Sequence, residues 1–289
     1  MPWPFDVGFM QRALIAGLIV GAAAPLIGAF LVQKRLSLMG DGIGHLAFAG
    51  VAAGLLLDVW PVWSALAVAV AGAAGIETLR RRGIASGDMV LAVFFYGGIA
   101  AGVVLISIAG SLNASILSYL FGQILTVTAG DLWVIAALGA AIVATIAVAG
   151  RALFAVVVDE EAARVAGLPV DRLNMLLAVL AAVTVVVAMR VVGVLLVAAL
   201  MVLPVGASQA IARSFRGTLV GASIVGMAAV ALGLGTARDL PVAPGGTIVL
   251  VAATLFVAAQ LAARLRPTAG PLPRAPGDDP HRGAHSPEH

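Results

Sequence analysis

Residues 34–58 read KRLSLMGDGIGHLAFAGVAAGLLLD. The run opens on two cations and is about long enough to cross a bilayer, which takes ~20 mostly apolar residues in a helix. Inside it stand an aspartate, Asp41, and a histidine, His45. The chain has four histidines, and His281, His285 and His289 all fall in its last nine residues. His45 is therefore the histidine of the hydrophobic body, and Asp41 is the carboxylate set deep in an apolar run. Four residues apart, the two share one face of a helix. Ionisable groups at membrane depth are costly and usually face a pathway or cavity. An imidazole and a carboxylate on one face can both ligate a divalent cation. The structural alternative is a neutral His45 bonded across helices, with Asp41 capping the helix start.

The rest of the chain is the setting for that pair. Of 289 residues, 62% are hydrophobic and 11% charged, against about a quarter charged in a soluble domain. Mean hydropathy is +1.10. The apolar runs are continuous and rich in Ala, Leu, Val and Gly, without the alternation of a membrane β-barrel. The chain reads as an all-α polytopic membrane protein, multi-pass in the cell (inner or plasma) membrane. It contains no cysteine, so neither disulfides nor thiolate ligands enter. The first apolar run leads straight into further spans and has no evident signal-peptide cleavage site. The few cations read as topology signals, not as a nucleic-acid patch.

Length and hydropathy predict about nine transmembrane helices, or eight. They are Ala13–Val32, Leu36–Leu57, Val62–Leu79, Met89–Ile108, Leu132–Ala149, Leu173–Met189, Val191–Ala212, Thr218–Gly235 and Thr247–Leu265. Fourteen of the 17 lysines and arginines then fall on one side, and Arg12, Arg190 and Arg238 on the other. The positive-inside rule places the amino terminus outside and the carboxyl terminus in the cytoplasm. Residues 109–130, AGSLNASILSYLFGQILTVTAG, are too polar for a plain span and read as a re-entrant helix or an outer loop. Residues 266–289 are rich in Pro and Gly and read as a disordered, histidine-containing cytoplasmic tail. Its histidines, four apart, are a weak metal-capturing tract at most.

Three further features bear on function. The cytoplasmic stretch Arg151–Arg172 carries Asp159, Glu160 and Glu161 at the start of a short helix. Gly167 ends that helix, with Pro169 following. Pro204 interrupts the seventh apolar run and should kink it. Gly40, Gly42 and Gly44 bracket Asp41 and His45, and alternate glycines predict a partly unwound start to the second span. At ~1.5 Å per residue, His45 lies roughly 14 Å into a core about 30 Å thick.

Three stretches together resemble the permease subunits of metal-ion ABC transporters, the zinc, manganese and iron uptake family that includes ZnuB. They are KRLSLMGDGIGHLAFAGVA, VDEEAARVAGLPVDRLN and VGVLLVAALMVLPVGASQ, and the likeness covers about Ala13 to Leu265. The resemblance implies a transmembrane permease domain over residues 1–265. It implies Asp41 and His45 as metal ligands in the pathway. It also implies an ATPase-coupling loop formed by Asp159, Glu160, Glu161, Ala162, Arg164 and Gly167, with Pro204 as the helix kink. The turn near Asp239 departs slightly from the family's Asp–x–Pro–x–Gly–Pro form. No GxxxxGK[ST] phosphate-binding motif occurs, so ATP belongs to a separate subunit.

The expected partners are a second copy of the chain, cytoplasmic ATP-binding subunits, an extracellular metal-binding protein and the bilayer. No cofactor is expected to be held permanently. The cargo is a divalent metal, with zinc first and manganese or iron as alternatives. A secondary transporter driven by an ion gradient is the competing class, and a structural scaffold the third. The first would need more intramembrane carboxylates, and the second leaves Asp41 and His45 without a role.

Overall fold

The computed structural model describes residues 8–109, 119–122, 128–194, 196–239 and 242–265. These residues hold ten helices: α1 (Gly8–Gln33), α2 (Met39–Leu56), α3 (Pro61–Arg81), α4 (Gly87–Ile108), α5 (Ala129–Val158), α6 (Glu160–Val165), α7 (Val170–Met189), α8 (Val197–Gln209), α9 (Phe215–Asp239) and α10 (Pro244–Arg264). All-helical architecture is what lipid demands, because each helix satisfies its own backbone. Most of the expected re-entrant stretch at 109–130 and the tail at 266–289 lie outside the described residues, as does part of the turn after Asp239.

Local signals set the helix ends. Pro61 and Pro244 open α3 and α10, where a missing N–H leaves nothing unsatisfied. Thr128 and Asp131 form a reciprocal capping box on α5. Ser86 accepts a hydrogen bond from the Met89 amide at the start of α4. The 30 residues of α5 span about 45 Å, longer than the hydrocarbon core, so this helix projects from it.

Among the described residues, eight helices are long and apolar enough to cross a membrane. The seventh expected span differs: only Val197–Gln209 of it is helical. At 13 residues, α8 reaches ~20 Å, and irregular chain after Met189 must cover the remainder. Such chain is tolerated at depth only where protein covers it. Here the amides of Val191 and Val192 donate to Ala188 O, that of Gly193 to Met189 O, and that of Val194 to Tyr119 O at 2.9 Å. Gly193 stands at φ +91°, a conformation open to glycine alone without strain. It lies against the backbone of Leu120–Gly122.

The core is built around α1 and α2. Helix α2 packs chiefly between α3 and α4 and also touches α7 and α8, while α1 packs on α9, α5, α8 and α7. The expected unwinding at Gly40–Gly44 does not occur, since α2 is regular from Met39 onward. Their use is close packing. A Cβ on Gly44 would lie 3.1 Å from Val194 O, and one on Gly40 3.3 Å from Ala198 Cβ. Bare backbone lets α2 seat against the irregular stretch and α8, and that packing outweighs the weak helix propensity of glycine.

Candidate functional site

Asp41 and His45 lie in the first two turns of α2. Both side chains are partly exposed, while Gly42, Ile43, Gly44 and Ala47 between and beyond them are buried. The pair thus points away from the packed side of its own helix, on the one face that their spacing predicted. The first-turn position of Asp41 would suit a cap, but no side chain caps α2 at its N-cap residue, Leu38. Among the described residues Asp41 makes no hydrogen bond or ion pair.

His45 is oriented by α4. The Phe95 ring meets the imidazole edge-on, with centroids 4.4 Å apart. One turn away, Gly98 brings the α4 backbone against that of α2. A Cβ there would lie 2.8 Å from the His45 carbonyl carbon. This contact holds the histidine backbone beside the Phe95 ring. No group of three or more His, Cys, Asp or Glu side chains able to hold a metal exists among the described residues. One chain therefore offers an anionic oxygen and an imidazole, too few for a closed metal site. Beside them α4 presents Val93 and Tyr96 outward, an uncovered surface continuous with the ligand pair.

The stretch around α6, expected as a coupling loop, divides into two faces. Asp159 caps α6, accepting from the Ala162 amide at 2.9 Å. Ala163 is buried and Glu160 turns inward. Glu161, Ala162, Arg164 and Gly167 are exposed, and Val165 is 91% exposed. Gly167, at φ +81°, ends the helix with the left-handed residue expected of it. Val165 thus stands beside Arg164 on the outer face of the helix.

Glu160 is instead part of a polar network that sequence reasoning missed. It pairs with Lys34 Nζ at 2.6 Å and accepts from Asn174 Nδ2 at 3.1 Å. Lys34 also donates to Asn174 Oδ1. Arg80 lies 3.9 Å from Glu160 and holds Glu77 through two bonds, at 2.9 and 3.0 Å. Arg81 bridges to Asp171 at 2.8 Å. The network joins the ends of α1 and α3 to α6 and α7. Burial pushes the Glu160 carboxyl up, but the Lys34 hydrogen bond and charge, the Asn174 bond and the Arg80 charge prevail and hold it below its ordinary 4.5. The available signal was Glu77, a carboxylate in an apolar run with Arg80 three residues on.

At the opposite end of α7, Arg190 pairs with Asp131 at 2.7 Å and lies 5.0 Å from the centre of the Tyr119 ring. This pair clamps the start of α5 to the end of α7, beside the irregular stretch. Pro204 is buried inside α8. Its missing N–H leaves the Leu200 carbonyl without its usual helical donor.

The chain resembles known proteins along nearly its whole length. The model of the ABC 3 transport family matches residues 6–263. The "Probable metal transport system membrane protein" of Treponema pallidum is 33% identical over 86% of this chain and 93% of its own. The "Manganese import system permease protein ScaB" of Streptococcus gordonii is 30% identical over 87% of this chain and 90% of its own. The solved structure of PsaBC from Streptococcus pneumoniae in complex with Fab contains a chain that superimposes with a TM-score of 0.80. That chain is 31% identical, over 88% of this chain and 91% of its own. A family model matched from near the first residue to the end of the last helix settles the classification: the chain belongs to the ABC 3 transport family.

Proposed function

We propose that this chain is the membrane permease subunit of an ATP-driven importer of a divalent metal ion. The observation that carries the reading is the Asp41–His45 pair, partly exposed on α2, with no hydrogen-bond or ion-pair partner for the aspartate among the described residues. A cation crossing hydrocarbon needs ligands in place of its water, and these two residues supply an anionic oxygen and an imidazole one helical turn apart. A second copy of the chain completes the site. Two copies bring two of each donor to a shared axis, and the uncovered α4 surface beside the pair is the place for them to meet. Cytoplasmic ATP-binding subunits dock on the outer face of α6, around Glu161, Ala162, Arg164 and Gly167. An extracellular metal-binding protein delivers the ion. The amino terminus lies outside and the Lys34 end of the bundle faces the cytoplasm.

The donor pair suits zinc, manganese or ferrous iron. The imidazole favours zinc. The names of relatives, ScaB of Streptococcus gordonii and MntC of Listeria innocua among them, favour manganese with equal weight. Uptake of each ion into proteoliposomes, alone and in competition, separates the two cargoes. The same assay tests the site. Asp41→Asn with His45→Ala should abolish uptake while the thermal midpoint of the purified complex stays near that of the parent. Near-parental uptake by this double variant would show that the ion takes another path.

A further inference from the structure

One cavity, lined by neither Asp41 nor His45, lies in a groove over α1 between α5 and α9. It has a volume of about 610 Å³. One wall is aromatic: Phe215 meets Phe30 edge-on at 5.1 Å and stacks in a tilted arrangement on Phe154 at 4.5 Å. Arg151 of α5 and Arg216 of α9 complete the lining, with Ser214 at the start of α9, and no carboxylate takes part. Both arginines are exposed and neither joins an ion pair among the described residues. They sit at the end of the bundle that carries Lys34 and Arg80, where the apolar spans give way to polar chain.

We propose that this groove is a binding site for one anionic phospholipid, its phosphate held by Arg151 and Arg216 and its acyl chains laid along the apolar wall. Each part of the groove matches a part of that ligand. Guanidinium groups bind phosphate oxygens through paired N–H donors. Basic pockets between transmembrane helices recognise anionic headgroups. The exposed Val143 of α5, one turn before the groove residues Ile146 and Ala147 on the same helix face, continues the apolar surface from the groove into the hydrocarbon. A free phosphate has no use for that wall, and a zwitterionic lipid returns a positive charge to a site that already holds two. The bound lipid wedges α5, which leads into the docking helix α6, against α9.

The test uses the full-length purified protein and a direct binding readout, independent of which ion is transported. Native mass spectrometry measures retention of phosphatidylglycerol and phosphatidylcholine added at equal concentration. The parent should retain phosphatidylglycerol preferentially, and Arg151→Gln with Arg216→Gln should reduce that preference roughly tenfold. Arg213→Gln, a neighbouring exposed arginine outside the groove, should keep it. Inorganic phosphate at the same concentration should not displace the lipid. Equal retention of the two lipids by the parent overturns the proposal whatever the variants do. So does an equal loss in Arg213→Gln, which would mark general surface charge, or displacement by phosphate alone, which would mark a simple anion site. Arg151→Lys with Arg216→Lys, which keeps the charge, should hold an intermediate preference and guards against a misfolded double variant.

Discussion

Gly98 and Glu160 each hold a functional element in place with a single atom's worth of chemistry. Gly98→Ala would set a methyl 2.8 Å from the His45 carbonyl carbon, so α2 and α4 must part. We expect a loss of ~1–3 kcal/mol, as for other overpacked contacts, read as a lower thermal midpoint, and metal uptake should fall with it. Glu160→Gln removes the charge facing Lys34, whose side chain is 8% exposed. A fully buried pair would lose several kcal/mol, but Glu160 is 38% exposed and solvent screens it, so ~1 kcal/mol is expected. The pH dependence has a fixed sign. The folded carboxyl titrates below its unfolded value, so its stabilisation is whole above about pH 4.5 and disappears as pH falls through the lowered value. The thermal midpoint of the parent should therefore drop on acidification below that range more than that of Glu160→Gln. Parallel curves would exclude the ion pair as the cause. The shared face of Asp41 and His45 was legible at this scale because an i, i+4 spacing on a helix sets both side chains on one side. Glu160 was not, because its partners Lys34 and Asn174 lie 140 residues apart and no local period joins them.

Helix α6 and the break before α8 show where pattern and packing part company. The short helix α6 is legible: a capping aspartate, two further acids and a terminating glycine describe it. Glu161→Arg or Val165→Asp should leave the permease inserted and folded but cut metal-dependent ATP turnover of the reconstituted complex at least tenfold, because interfaces tolerate reversed or buried charge poorly. Parental turnover by both variants would remove α6 from the docking surface. The break was not legible. Val191–Ala212 is apolar enough for a whole span, and only the docking of residues 119–122 against Gly193 makes the irregular start affordable. Gly193→Ala meets both a positive φ and crowding from Phe121 and Leu120, and should cost ~2 kcal/mol or more. The α2 glycines misled in the other direction. Their spacing resembles an unwound helix, and their use is contact with Val194 and Ala198.

Across the whole molecule, the segregation of charge was the most legible property. The network of Lys34, Arg80, Arg81, Glu160 and Asp171 occupies one end of the bundle, and Arg190 with Asp131 the other, as alternating spans require. Which end faces the cytoplasm is open to a direct measurement, because the chain has no native cysteine. A cysteine at the exposed Val59 should react with an impermeant reagent from outside the cell. One at Ser86, exposed between α3 and α4, should react only after permeabilisation. The reverse labelling would invert the proposed orientation.

The irregular stretch after Met189 also constrains how the protein is made. Its Val192 carbonyl faces Gly245 of α10, which leaves the ribosome after the other nine described helices. Until then α8, at ~20 Å, has neither the length to hold itself in lipid nor a complete cover for the backbone before it. Membrane insertion cannot therefore run strictly in chain order, and the α7–α8 hairpin must wait, unsettled, for a helix synthesised some forty residues later. Nascent chains stopped after Asp239 should leave a cysteine placed at Val192, fully buried in the finished fold, open to a thiol reagent. Chains stopped beyond Arg264 should protect it.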